Sequence, residues 1–199
     1  MDKIKIVYID DDPDPDISRY LKKVYIHKEF EKEYSEISFN SSEGYEHLIN
    51  NNIIKEANII FIDSKLFQND MIITGKFSGE EFKMILKKVF PFIEVIVITQ
   101  NELEDKYGTI SKYKDDTEYT PEEYYAKNLK TVIDASIKNI YIYRNIASKL
   151  KFNDGIDKVL IEKFTNSLEG SSQYDELTTK DIDDIILAFK ELKKEINGE

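Results

Sequence analysis

Three short, strongly apolar runs stand out along the chain, and each is followed or closed by a polar residue. They are KIKIVYI at 3–9, NIIFID at 58–63 and EVIVIT at 94–99. Runs that are apolar on both faces are typical of strands buried in a parallel sheet, because helices cover both faces of such a sheet. A weaker pattern at 36–40 and the segment EYYAK at 123–127 complete five predicted strands.

Segments with apolar residues at helical spacing separate these strands. The first helix is predicted from Asp16 or Ser18 to about Glu33. GEEFKMILKKV at 79–89 shows the clearest helical pattern, and Pro91 ends it. This alternation of strands and helices predicts an α/β fold with an open, five-stranded parallel sheet.

The chain beyond the fifth predicted strand has only helical patterns. A long helix is predicted over 129–151, and two shorter ones follow at about 156–168 and 179–196. We therefore predict a first domain at 1–150 and a small, all-helical extension at 151–199. The extension is a candidate output or dimerisation surface, because so short a segment forms only a small core alone.

Composition narrows the classes of function. The 199 residues contain no cysteine, which excludes disulfides, thiolate metal sites and thiol catalysis. The net charge of −11 argues against nucleic-acid binding, and the segment from Lys151 onward has 7 lysines against 12 acidic residues. No apolar run approaches the roughly 18 residues of a membrane span, so we expect a cytoplasmic protein without membrane insertion.

Polar side chains that could bind an ion or a ligand follow the predicted buried strands. Asp10 and Asp11 follow the first strand, Asp63 ends the third and Thr99 ends the fourth. Ligands of open parallel sheets bind outside the carboxyl ends of the strands, so we expect these residues to lie together. Three neighbouring carboxylates require a cation among them or raised pKa values. An all-oxygen set of ligands suits Mg²⁺ better than zinc.

Over residues 3 to about 148 the sequence resembles the receiver domain of two-component response regulators, of the chemotaxis-receiver type. The acidic pair of that family matches Asp10 and Asp11 in VYIDDDPD, and its phosphoacceptor matches Asp63 in NIIFIDSK. Its hydroxyl residue matches Thr99 in VIVIT. The resemblance implies a flavodoxin-like (βα)5 fold for this part of the chain.

The family also has a lysine at the end of its fifth strand. We match it to Lys127 in EEYYAKNL, which places Tyr124 at the family's switch aromatic, three residues earlier. Several features depart from the family. Among them, Asn128 stands where a cis proline normally follows the lysine, Gln100 replaces the small residue usual after the hydroxyl, and the segment 64–78 is longer than usual.

The resemblance implies a magnesium-dependent phosphoacceptor. Asp63 would accept a phosphoryl group from a phosphohistidine or a small phosphodonor. Mg²⁺ would be held by Asp11, Asp63 and the carbonyl of Lys65, with Asp10 acting through a bound water.

The remaining residues of the motif would respond to the phosphoryl group. Lys127 and the hydroxyl of Thr99 would contact its oxygens, and the inward movement of Thr99 would vacate space for Tyr124. The implied partners are a sensor histidine kinase or phosphotransfer protein upstream and a protein effector downstream, without nucleic acid. A homodimer is an open alternative.

Two other functions remain open on the sequence. One is a pseudo-receiver that binds a partner constitutively and is never phosphorylated. The other is a phosphatase on the same scaffold, with Asp63 as the nucleophile and Asp11 holding Mg²⁺. As a receiver, the chain would catalyse at most its own Mg²⁺-dependent phosphorylation and dephosphorylation, without classical turnover.

Overall fold

The computed structural model describes residues 2–40, 44–67, 78–100, 109–115, 118–151 and 158–169. Its strands are β1 (Asp2–Asp10), β2 (Phe30–Ser38), β3 (Ile59–Asp63), β4 (Glu94–Thr99) and β5 (Thr109–Ser111). Its helices are α1 (Pro15–Arg19), α2 (Tyr45–Asn50), α3 (Asn52–Lys55), α4 (Gly79–Val89), α5 (Pro121–Asn128), α6 (Lys130–Lys151) and α7 (Lys158–Glu169). A π-helical turn, Tyr20–Val24, extends α1.

The five strands form one sheet in the order β2-β1-β3-β4-β5, and every neighbouring pair is parallel. This is the flavodoxin-like order of doubly wound sheets. The predicted α/β class and five-stranded parallel sheet are therefore confirmed. The order places β1, β3 and β4 inside the sheet, and these are the three strands that the apolar runs predicted.

Each face of the sheet has its own hydrophobic core, because the side chains of a strand point alternately to the two faces. On one face Tyr8 and Phe61 pack with residues of α1, the π-helical turn, α5 and α6. On the other face Ile9 and Ile62 pack with α2, α3 and α4, including the fully buried Phe82. Helices thus cover both faces, which is why β3, β4 and the second half of β1 are mostly apolar.

The segment after β1 differs from the prediction of one helix to about Glu33. The helix α1 is short, its N-cap is Asp14 rather than Asp16 or Ser18, and β2 begins already at Phe30. Asp14 accepts hydrogen bonds from two backbone N–H groups of the first turn. The start of β2 escaped prediction because it is an edge strand whose exposed positions are charged, which is typical of edges that avoid further pairing.

The segment predicted as the fifth strand is a helix. EYYAK lies within α5, while β5 is the three-residue strand at 109–111. The sequence does contain the signal for this helix, which is a capping box. The Thr120 side chain accepts from the backbone N–H of Glu123, the Glu123 side chain accepts from the backbone N–H of Thr120, and Pro121 occupies the first turn. Tyr124 and Tyr125 favour a strand in the sequence pattern, because aromatic residues prefer β structure.

The chain divides into two compact units, at residues 1–140 and 141–199. The first contains the sheet. In the second, Ala147 of α6 and Ile161 of α7 are buried. The predicted extension at 151–199 stays a prediction, since most of that segment lies outside the described residues. Among the helices that the structure describes, none is long and apolar enough to cross a membrane.

Candidate functional site

A group of carboxylates lies at one edge of the sheet. β1 ends at Asp10 and β3 ends at Asp63, and the two strands are parallel neighbours, so both ends lie at the same edge. Asp11 follows β1 directly. One oxygen of each carboxylate lies within 4.8 Å of the others. The topology therefore brings together the three acidic residues that the sequence analysis placed there.

A lysine that the sequence analysis missed lies among these carboxylates. The Nζ atom of Lys112 is 2.8 Å from Oδ2 of Asp10 and 2.8 Å from Oδ1 of Asp63, and the Lys112 side chain is only 5% exposed. Lys112 directly follows β5, and its backbone N–H donates to the carbonyl of Thr99 at 2.7 Å. The end of β5 thus supplies the cation that a carboxylate cluster requires.

The mutual effects on pKa follow from burial and charge. Burial raises the pKa of Asp63 above its ordinary value, and the hydrogen bond and charge of Lys112 offset only part of that rise. Burial alone would lower the pKa of Lys112, but its contacts with the two carboxylates outweigh burial and raise that pKa. Lys112 is therefore positively charged at neutral pH.

The hydrogen bonds of Asp10 use both of its carboxylate oxygens. Oδ2 accepts from the Tyr8 hydroxyl as well as from Lys112, and Oδ1 accepts from the backbone N–H of Asp12 at 3.1 Å. Burial, reinforced by the charge of Asp10, raises the pKa of Tyr8 far above its usual range, so Tyr8 remains a donor. Asp10 is held rigidly by protein donors, which suits a supporting role better than direct ligation.

The surroundings of Asp63 come from three segments. Its Oδ2 accepts from the backbone N–H of Lys65 at 2.7 Å, and its backbone lies beside Ile98 of β4. Thr99, the next residue of β4, is buried at the same edge of the sheet. The backbone of Lys65 therefore contacts the candidate phosphoacceptor, and Thr99 lies at the same edge of the sheet.

Gly79 allows α4 to begin against the backbone of Asp63. Its N–H donates to the carbonyl of Ser64 at 2.8 Å, and a Cβ atom at this position would lie 2.4 Å from the carbonyl oxygen of Asp63. Any other residue would have to displace that backbone. Glycine is thus required here by close approach, and the long segment before it, at 68–77, lies outside the described residues.

Lys127 and Tyr124 are not at the positions predicted for them. Lys127 lies on the exposed side of α5, where its amine is 4.7 Å from the ring centroid of Tyr119. Tyr124 lies on the same helix, and its hydroxyl donates to the carbonyl of Ser111 at 3.1 Å. The placement of both residues on a fifth strand was wrong, because the capped helix α5 occupies that segment.

The carboxylate cluster fits a magnesium ion in chemistry and in spacing. Mg²⁺ binds oxygen at about 2.1 Å, so oxygens on one ion lie at most about 4.2 Å apart. The three carboxylate oxygens lie within 4.8 Å of one another, which small side-chain rotations bring into that range. The donors are all oxygen, as a hard cation prefers.

Comparison with known proteins gives structural likenesses alone. No family model matches the chain, and no curated protein matches it. A CheY-like response regulator receiver domain protein from Methanospirillum hungatei JF-1 is 20% identical, with a TM-score of 0.39 over 68% of this chain and 97% of that one.

Two further solved structures are similar over about the same share of the chain. The BeF3-activated DrrB receiver domain is 14% identical, with a TM-score of 0.40 over 68% of this chain and 98% of that one. A two-component transcriptional regulator AraC from Clostridium phytofermentans ISDg is 13% identical, with a TM-score of 0.40 over 71% and 98%. The fold assignment itself rests on the strand order and on the parallel pairing of this chain.

Proposed function

We propose that this chain is a response-regulator receiver that accepts a phosphoryl group on Asp63 and signals through protein contacts. The observation that carries the proposal is the position of Lys112, whose ammonium lies 2.8 Å from both Asp10 and Asp63 at the carboxyl edge of the sheet. An ammonium held there by two carboxylates is placed to contact an oxygen of a phosphoryl group on Asp63.

The proposed reaction is phosphoryl transfer to a carboxylate. An oxygen of Asp63 forms a bond to phosphorus, and the bond from phosphorus to the donor breaks on the opposite side. With a phosphohistidine donor, the phosphorus–nitrogen bond breaks and the imidazole leaves with the electron pair. Lys112 offsets the charge that the phosphoryl oxygens bring to the site, and thereby takes the role that the sequence analysis gave to Lys127.

Mg²⁺ is the proposed cofactor. Asp11, Asp63 and the carbonyl of Lys65 are its proposed ligands. Asp10 is proposed to act through a bound water, because its carboxylate accepts from three protein donors and that of Asp63 from two. When bound, the ion would offset the negative charge of the carboxylates and of the phosphoryl oxygens.

The proposed response to phosphorylation begins at Thr99. Its hydroxyl donates to a phosphoryl oxygen, which alters the edge of β4 and β5 that a partner contacts. A sensor histidine kinase or a phosphotransfer protein is the proposed donor, and a protein effector is the proposed recipient of the signal. The acidic charge of the chain fits these protein partners better than nucleic acid.

One observation favours a second candidate, a pseudo-receiver that is never phosphorylated. Three residues before Lys112 stands Thr109, so the switch aromatic of the family has no counterpart at that position. The Thr109 hydroxyl instead donates to Glu80 at 3.3 Å. A receiver without its switch could bind a partner constitutively, and phosphodonor treatment separates the two candidates.

The proposed function is tested by incubating the full chain with acetyl phosphate and measuring its intact mass. We expect one phosphoryl group to be added in the presence of Mg²⁺ and none after chelation, because the carboxylates otherwise repel the donor. Asp63→Asn should remain unlabelled, whereas Asp12→Asn, which changes an exposed residue just after β1, should label normally. Full labelling of Asp63→Asn, or no labelling of the unmodified chain, would exclude Asp63 as the phosphoacceptor.

Magnesium binding should distinguish Asp11 from its neighbour Asp12. The carboxylate of Asp11 belongs to the cluster with Asp10 and Asp63, whereas Asp12 contributes a backbone N–H to Asp10. We expect Asp11→Ala to weaken Mg²⁺ binding by at least about tenfold, and Asp12→Ala to change it by less than about twofold. Titration of amide NMR shifts with Mg²⁺ measures both, and equal effects would show that the register at the end of β1 is wrong.

A further inference from the structure

Lys112 depends on contacts outside the strand for its position. β5 contains only three residues, and residues 112–114 after it have no regular structure. The backbone N–H of Lys112 is bonded to Thr99, so the Ser111–Lys112 peptide is the last one that β4 holds, and the Lys112–Tyr113 peptide lies beyond the ladder that pairs β4 with β5. Tyr113 follows Lys112, and no cis peptide bond occurs among the described residues.

Two consecutive tyrosines of α5 bond to these two peptides. The hydroxyl of Tyr124 donates to the carbonyl of Ser111 at 3.1 Å, and the hydroxyl of Tyr125 accepts from the N–H of Tyr113 at 2.9 Å. One bond therefore precedes Lys112 and the other follows it.

The tyrosine rings are themselves fixed by packing. Tyr125 is fully buried and lies 5.8 Å from Tyr20, measured between ring centroids. The rings of Tyr124 and Tyr125 are 5.4 Å apart, and Tyr124 also packs edge-on against Tyr113. Hydroxyl groups on rings held in this way cannot follow a displaced loop, so they fix the backbone to which they bond.

We infer that Tyr124 and Tyr125 are positioning residues, which clamp the backbone around Lys112 and thereby hold its ammonium between Asp10 and Asp63. The inference rests on the proposed function for its kinetic consequence. The flexible side chain of a lysine does not by itself fix its ammonium. A backbone held on both sides of Lys112 restricts the positions that Nζ can take, and so favours the one 2.8 Å from both carboxylates. Tyr124 thus contributes to the site through Lys112, and not as a strand-borne aromatic switch.

The test uses Tyr124→Phe, Tyr125→Phe and the double variant, which keep the rings and remove the hydroxyl groups. The matched control is Tyr25→Phe. Tyr25 is buried in the same core, and its hydroxyl donates to Asp134 at 2.8 Å, far from Lys112 in the chain. The control therefore loses a hydrogen-bonded tyrosine hydroxyl without touching the peptides next to Lys112.

Two quantities are measured at a temperature at which calorimetry shows every variant to be folded. The first is the rate of labelling by acetyl phosphate with saturating Mg²⁺. The second is the ¹⁵N NMR signal of the Lys112 side-chain ammonium, whose hydrogen exchange is slow while two carboxylates hold it. We expect the double variant to label roughly ten- to a hundredfold more slowly and to lose the slow-exchanging signal, since small displacements of a charged group have effects of this size.

The control should label within about twofold of the unmodified chain and should keep the ammonium signal, because a folded site is unaffected by a distant hydroxyl. The inference is overturned if the double variant retains either the rate or the signal, or if Tyr25→Phe loses them equally. If the unmodified chain is never labelled, the proposed function fails, and the ammonium signal alone then decides whether the tyrosines position Lys112.

Discussion

Replacing Lys112 with methionine is expected to slow phosphorylation of Asp63 by at least about a hundredfold, because the variant loses the preorganised positive charge at the reacting group. Methionine keeps the length of the lysine side chain as far as Cε and removes its ammonium. Labelling by acetyl phosphate with saturating Mg²⁺ measures the rate. The same substitution leaves Asp10 and Asp63 buried at the sheet edge without their shared cation.

The stability of the Lys112→Met variant should depend on pH. Removing one partner of a buried ion pair typically costs about 3–5 kcal/mol. In the variant only the hydrogen bond from the backbone N–H of Lys65 still opposes the burial that raises the pKa of Asp63, so the native state holds a proton that the unfolded state releases. Its stability relative to the unmodified chain should therefore fall as the pH rises from the ordinary pKa of an aspartate towards neutrality. Urea denaturation without Mg²⁺, at pH 5 and pH 7, measures this difference.

Lys127→Met is the matched control for Lys112→Met. Lys127 is exposed on α5 and contacts the ring of Tyr119, so its loss should change stability by less than about 0.5 kcal/mol and leave the labelling rate within about twofold. A larger loss of labelling in Lys127→Met than in Lys112→Met would restore the assignment made from the sequence and contradict the geometry of the site.

Phe82→Ala is expected to destabilise the chain by about 3–5 kcal/mol, because it removes a fully buried ring and leaves a cavity. Phe82 lies on the inner face of α4 and packs edge-on against Phe67 at 5.1 Å between centroids. Met84 lies on the same helix, and its side chain is 73% exposed. Met84→Ala should therefore change stability by less than about 0.5 kcal/mol.

The midpoint of urea denaturation measures both α4 variants. A similar loss in Phe82→Ala and Met84→Ala would mean that α4 presents a different face to the sheet. It would also undermine the placement of Gly79, whose contact with the Asp63 backbone depends on how α4 begins.

The central part of the fold was predictable from the sequence because its signals are local and strong. The apolar runs of β1, β3 and β4 arise from burial on both faces, and α4 was predicted with its observed bounds, Gly79–Val89. The edge strands were not predictable in the same way. β2 alternates charged residues with a few apolar ones, and β5 is too short to show any period.

The candidate site was predictable where it depends on the central strands. Asp10, Asp11 and Asp63 had to meet once the strands that precede them were parallel neighbours. Lys112 was not predictable by that route, because the strand before it is short and several other lysines follow the fourth strand. Its identity emerges from long-range contacts, which join residues 102 positions apart in the chain.

The error at Lys127 has a local physical cause. The family has a lysine three residues after its switch aromatic, and Tyr124 and Lys127 in EYYAK have this spacing. The spacing alone does not distinguish a strand from a helix. The capping box formed by Thr120 and Glu123, with Pro121 between them, is the evidence that decides for a helix. Helix-start signals therefore outweigh the β preference of two tyrosines.

The most direct test of the proposed function locates the phosphoryl group within the chain. The protein is treated with acetyl phosphate and Mg²⁺ and then with borohydride, which reduces an aspartyl phosphate to homoserine, and the peptides are mapped by mass spectrometry. The proposed function predicts homoserine in place of Asp63, and its disappearance when Mg²⁺ is chelated. Reduction at another residue, phosphate on His27 or His47, or an unmodified Asp63 under all conditions would contradict it.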